Sequence, residues 1–159
     1  MGEARNPGHP GPVPPAWPDL SGRLSRDGRR HVLPVRVYFE DTDFSGLVYH
    51  ASYVRWCERG RSDFLRLVGS EHRALIDAPE PAAFVVRRLK IEYLKPARID
   101  DVLEVTTKVG SLTAASLVLE QAVMRDGVAI CEAEVTVVLV SAKGRVLRIS
   151  PAIQSRLAP

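Results

Sequence analysis

From Phe84 to Val140 the chain alternates apolar and polar residues with a period of two, and only short turns interrupt it. In Leu89-Lys90-Ile91-Glu92-Tyr93 the odd positions are apolar and the even ones charged. Leu103, Val105 and Val109 alternate in the same way with Glu104, Thr106 and Lys108. A third run, Leu117 to Arg125, meets Asp126-Gly127, a strong hairpin signal, and returns as Val128 to Val140. In that last run Glu132 and Glu134 share one face, opposite Cys131, Ala133, Val135 and Val137. None of the connections has room for a crossover helix, so the sheet must be antiparallel. A sheet solvated on one face needs apolar cover on the other.

The cover has one obvious source. Val35-Arg36-Val37-Tyr38-Phe39 reads as another strand, and after a turn Tyr53, Cys57, Phe64, Leu65 and Val68 recur at helical spacing over roughly 50–68. Arg55, Arg59, Arg61, Asp63 and Arg66 fall on the side read as solvated, with Arg59 and Asp63 one turn apart and Glu58 in reach of Arg61. Gly60 in mid-helix costs about 1 kcal/mol relative to Ala, which is tolerable if a strand packs closely against it. Residues 70–78 read as a short helical turn ended by Pro79 and Pro81. The order strand, helix, four strands predicts an α+β domain, a five-stranded antiparallel sheet around one central helix. One helix covers only part of such a sheet, so a second subunit is expected to bury more of it.

The domain is expected over residues 32–150. Residues 1–31, rich in proline and glycine, read as a mobile extension, and 151–159 as a C-terminal tail with at most one helical turn. The formal charge of +3 divides into +2 over residues 1–31, five Arg against three acids, and +1 over the rest. That excludes the clustered basic footprint of a nucleic-acid binder. Cys57 and Cys131 fit neither a disulfide framework nor a Cys-x-x-Cys metal site and read as buried reduced thiols. No apolar run reaches the ~18 residues of a membrane span, and the N-terminus lacks the apolar centre of a signal peptide, so a cytoplasmic protein is expected.

The stretch Tyr38 to His50 packs a strand end, a carboxylate-bearing turn and a helix start into one short segment. That combination suits chemistry on a carbonyl: a carboxylate to drive water or attack, and helix N–H groups to hold developing negative charge. Asp41-Thr42-Asp43-Phe44-Ser45-Gly46 imitates a calcium loop, but Ser52 stands where a bidentate Glu is needed. It also imitates an Asp-x-Asp phosphatase, whose parallel sheet the consecutive strands contradict. Either aspartate taken alone could simply close the turn or cap the helix, and His50 could be an ordinary first-turn residue. No Gly-x-Ser-x-Gly elbow, phosphate loop or dinucleotide fingerprint is present.

The block Val35 to Asp43, then Gly46 to Tyr53 and Glu58-Arg59, resembles the acyl-CoA thioesterases associated with the bacterial Tol-Pal system, within the 4-hydroxybenzoyl-CoA thioesterase family of hot-dog folds. The resemblance continues through Ala83 to Arg87, Glu92-Tyr93, Pro96 to Asp101, Ser116 to Val118 and Glu132 to Val135. It implies thioesterase activity on short-chain acyl-CoA, with acyl carrier protein thioesters as a second substrate class. It also implies a site shared across a homodimer or homotetramer, and neither metal nor redox cofactor. Asp43 would be the catalytic carboxylate, as general base or nucleophile, and His50 its assistant. Tyr49, Ala51, Val85, Val86 and Arg87 would form the substrate-binding set. Phe44-Ser45 replaces two small residues common in relatives. Ser111 to Ser116 lacks the basic cluster that meets CoA phosphates in the hydroxybenzoyl enzymes, leaving Arg87, Arg88, Lys90 or Lys95 for that task. The alternative reading is a non-catalytic thioester-binding or envelope-associated scaffold of the same fold.

Overall fold

The computed structural model describes residues 22–70 and 72–158. Six antiparallel strands form one sheet in the order β1-β2-β4-β5-β6-β3: β1 Arg23–Leu24, β2 Arg30–Arg36, β3 Ala82–Tyr93, β4 Val102–Leu112, β5 Leu117–Arg125 and β6 Val128–Ser141. The helices are α1 His50–Leu67, α2 His72–Ile76 and α3 Pro151–Leu157. The sheet has one strand more than the sequence predicts because of the two-residue β1. The Asp126-Gly127 hairpin forms as expected, with φ of 51° and 77°, the pair of positive values a tight primed turn requires.

The sheet curls around α1. Leu103 and Val105 of β4, Leu117, Leu119 and Val123 of β5, and Cys131, Val135 and Val137 of β6 face Tyr53, Trp56, Cys57, Phe64 and Leu65 of the helix, all buried. Each large apolar side chain removed from water contributes about 1.5–3 kcal/mol. Val68, read as part of the buried stripe, is only half-buried. α1 ends in a Schellman motif: Ser70 N–H donates to Leu65 O, Gly69 N–H donates to Arg66 O, and Gly69 takes φ +77°.

Gly60 does meet the sheet. A Cβ there would lie 3.0 Å from Val105 Cγ1 and 3.1 Å from Thr107 Oγ1, so its absence lets helix and sheet close up. Arg61, assigned to the solvated face, is in fact buried. Its Nη1 donates to Gln121 Oε1 at 3.0 Å, Nη2 pairs with Glu58, and Gln121 Nε2 donates to Thr107 Oγ1 and Cys57 O. Polar Thr107 and Gln121 occupy inward positions of neighbouring strands, opposite each other in register, and supply the partners a buried guanidinium needs. Asp63 pairs with Arg66 and His31 rather than with Arg59.

Regular structure continues on both sides of the central run of elements. Residues 22–31, placed in the extension by composition, form the β1–β2 hairpin. Its anchor is Asp63, which accepts from Gly22 N–H at 2.7 Å and meets the fully buried His31 Nε2 at 2.6 Å. Residues 1–21 of that expectation lie outside the described residues. At the other end α3 makes about two turns, capped by Ser150 accepting from Ile153 N–H, and buries Leu157 in the core. Residues 151–157, expected to form at most one helical turn, thus make a helix that packs on the core.

β3 lies at the open edge of the sheet, with Val85, Val86, Leu89 and Tyr93 between 38% and 50% exposed. A bulge at Arg87 interrupts its register with β6, between Val86↔Val137 and Arg88↔Thr136. Among the described residues no helix is long and apolar enough to cross a membrane.

Candidate active site

β2 stops at Arg36, earlier than the alternation suggests, and Phe39–Asp41 forms a 3-10 turn. The two aspartates of the loop then part company. Asp41 is buried; its Oδ2 accepts from Tyr38 N–H at 2.9 Å while its own N–H donates to Tyr38 O. Its carbonyl accepts from Tyr49 N–H at 2.8 Å and from the Ser52 hydroxyl at 3.3 Å, tying the loop to the start of α1. Asp41 holds the loop in place.

Asp43 is exposed. Its backbone closes a tight turn, with Asp43 N–H donating to Leu47 O and Gly46 N–H to Asp43 O, which needs the φ of +76° that Gly46 supplies. Its Oδ1 accepts from both the hydroxyl and the N–H of Ser45. Those two bonds, with a smaller contribution from nearby His50, hold the Asp43 carboxyl below the usual carboxylate range. The group is ionised at neutral pH. Both bonds go to Oδ1 rather than Oδ2.

The helix start is poised to meet a negative charge. Tyr49 is the N-cap but offers no side-chain cap, and the first turn holds no acid. The N–H groups of His50 and Ala51 therefore lack intrahelical acceptors at the positive end of an 18-residue helix. Val48 N–H donates to Ala97 O, and Ala97 N–H donates to the buried Tyr53 hydroxyl, bracing this end from below. The exposed His50 ring packs against Tyr49 at a tilt of 57° with centroids 4.4 Å apart, and lies edge-on to Tyr93 at 6.3 Å.

One loop and one helix turn thus bring together Asp43, Tyr49, His50 and Ala51. Val85, Val86 and Arg87 are not part of that grouping within the chain. Tyr93 is the β3 residue that touches His50, and Val86 lies roughly 23 Å from it along the strand. Lys90 sits opposite Glu134 on the outer, mixed-charge face of the sheet, beside the Lys108–Glu120 pair. Nothing in the sequence marks Tyr93 as a site residue, yet its hydroxyl donates to His50 O at 3.0 Å. Burial pushes the Cys57 thiol up to about 11 and that of Cys131 to about 12, so neither is a thiolate at neutral pH. Among the described residues no three His, Cys, Asp or Glu side chains converge as a metal site would require.

An antiparallel sheet curled round one helix, with a carboxylate loop at that helix's uncapped N-terminus, defines the hot-dog class of α+β domains. Within that class the chain belongs to the Thioesterase-like superfamily, whose family model matches residues 37–157. It is 48% identical over 108 residues to the "Acyl-CoA thioester hydrolase YbgC" of Escherichia coli O6:H1, a match spanning 67% of this chain and 79% of that protein. It also resembles the solved "Probable Thioesterase from Bartonella henselae", with 37% identity, a TM-score of 0.74, and coverage of 76% of this chain and 99% of that one. A 4-hydroxybenzoyl CoA thioesterase structure shares the fold at 18% identity, with a TM-score of 0.75 and coverage of 82% and 99%.

Proposed function

We propose that the chain hydrolyses acyl-CoA thioesters, preferring short acyl groups, with acyl carrier protein thioesters as a second donor class. The observation that carries this reading is an ionised carboxylate, Asp43, in the loop that leads into the uncapped start of α1, where His50 is the first helical residue and close enough to act on the carboxylate's charge. The N–H groups of His50 and Ala51 donate to the thioester oxygen as it becomes an oxyanion, each such donor contributing about 3 kcal/mol to the transition state. Two routes fit Asp43. As a general base it takes a proton from water while the water oxygen bonds to the acyl carbon; collapse of the tetrahedral adduct breaks the C–S bond, and the proton leaves with the thiol. As a nucleophile it forms a mixed anhydride, expels the thiolate, and is regenerated by water. Single-turnover hydrolysis in ¹⁸O water tests for the second route: water that attacks the Asp43 carbonyl of the anhydride leaves ¹⁸O on Asp43, which the general-base route never does.

The acyl pocket is completed by a second copy in this reading. β3 offers an unpaired, partly apolar edge, a liability that symmetric pairing removes. Antiparallel pairing of two β3 strands about an axis near Leu89 and Lys90 sets Val86 of the partner subunit beside Tyr93, which brings Val85, Val86 and Arg87 to the site. We therefore infer a homodimer, or two dimers as a homotetramer, acting in the cytoplasm. Thiol release across a series of acyl-CoA chain lengths tests the reaction, and specific activity beside light scattering on dilution tests the shared site. Turnover highest on short chains and falling with dissociation is expected. Thioester binding without thiol release would instead favour the scaffold reading, and a fully active monomer of 17.5 kDa would overturn the shared pocket.

A further inference from the structure

Tyr93 ends the edge strand β3 and reaches the start of α1 with two contacts. Its hydroxyl donates to His50 O at 3.0 Å, and its ring stands edge-on to the His50 imidazole at an interplanar angle of 87°. The same ring also packs edge-on against Tyr53, with centroids 5.5 Å apart, and Tyr53 in turn packs on the buried Trp56. The phenol is therefore braced from the core.

The carbonyl it meets has a particular neighbour. His50 C=O and Ala51 N–H belong to one peptide group, and that N–H is one of the uncapped donors at the helix start. A hydrogen bond accepted at the oxygen draws electron density from nitrogen and makes the N–H a stronger donor. The helical ladder already gives His50 C=O one partner, and the phenol adds a second. Partial burial raises the Tyr93 phenol above its ordinary pKa, so it keeps the proton it donates.

We propose that Tyr93 is a positioning residue of the active site: its O–H polarises the His50–Ala51 peptide while its ring fixes the His50 imidazole. The inference rests on the thioesterase reading above and deepens it. Removing an oxyanion donor outright lowers turnover about 10²- to 10³-fold. A cooperative strengthening of ten to thirty per cent of that donor corresponds to roughly 2- to 8-fold.

The test replaces Tyr93 with Phe and, separately, with 3-fluorotyrosine and 3,5-difluorotyrosine, and measures kcat, KM and melting temperature on a short-chain acyl-CoA. Tyr93→Phe should lower kcat roughly 2- to 8-fold with KM and melting temperature nearly unchanged. The more acidic fluorinated phenols should raise kcat stepwise while protonated. The difluoro variant should also lose activity at alkaline pH, where its phenolate can no longer donate. A flat fluorotyrosine series with a wild-type kcat for Tyr93→Phe would overturn the proposal, because packing alone predicts that result. Asp43→Asn runs beside it. If that variant is inactive while Tyr93→Phe is wild-type, only the role of Tyr93 falls; if Asp43→Asn is active, the thioesterase mechanism itself falls.

Discussion

Asp41→Ala separates the two aspartates of the loop most cleanly. The substitution removes the Oδ2 acceptor of Tyr38 N–H, a 2.9 Å bond in a part-buried turn. Losing a capping acceptor of this kind costs about 1 kcal/mol, and leaving the donor unsatisfied moves that towards 2 kcal/mol. These describe the same bond and are not added. For a domain of this size 1 kcal/mol shifts Tm by about 3–4 °C, so Asp41→Ala should melt roughly 3–8 °C lower. The main-chain carbonyl that holds Tyr49 N–H and the Ser52 hydroxyl survives the change, so turnover should fall less than about threefold. Asp41→Asn keeps an acceptor oxygen and should lose less than half as much stability. Thermal melts beside thiol-release kinetics read both quantities. A variant that melts like wild type but has lost its turnover would show that the chemistry sits on Asp41 and that the division of labour is reversed.

Three further outcomes follow from the same contacts. Ser45→Ala removes the hydroxyl bond that contributes most to depressing Asp43, so the acid limb of kcat/KM should move to higher pH while the neutral plateau stays; an unmoved limb would detach Ser45 from the titration. Gln121→Leu strips the buried Arg61 of its Nη1 acceptor and Thr107 of its donor; a loss of about 2–4 kcal/mol by denaturant unfolding is expected, with activity per folded molecule unchanged. Burial opposes ionisation of Asp63, but Arg66, His31 and Gly22 N–H together outweigh it and hold its pKa below the usual value. Its contribution to stability is therefore present above the unfolded carboxylate range and lost as pH falls through the lower folded value, so Tm curves of wild type and Asp63→Asn should converge in acid.

What could be read from the sequence was what is local and periodic. The strands from Phe84 onward, the Asp126-Gly127 turn and the helix start at His50 each rest on spacing within a few residues, and each formed where expected. The close approach at Gly60 also followed from one residue. Long-range polar pairing was not legible. Arg61 looked solvated because its partner Gln121 is sixty positions away; the available signal was a polar residue at an inward position of each of β4 and β5. The β1–β2 hairpin was hidden by proline- and glycine-rich neighbours, and only Asp63 explains why it docks. In the site, Asp41 and Asp43 were indistinguishable by spacing, and burial separated them. Tyr93 was invisible as a site residue because only the fold carries the end of β3 to His50.

The central claim is that the Asp43 carboxylate performs the reaction at the start of α1. Its most direct test is steady-state thiol release by Asp43→Asn on a short-chain acyl-CoA, with circular dichroism and Tm recorded on the same preparation. Asn keeps the size of the side chain and loses the charge and the basic or nucleophilic oxygen, so kcat should drop at least about 100-fold. Asp43 is exposed and its turn is closed by backbone bonds, so Tm should stay within about 2 °C of wild type. Near-wild-type turnover in the folded variant would contradict the account.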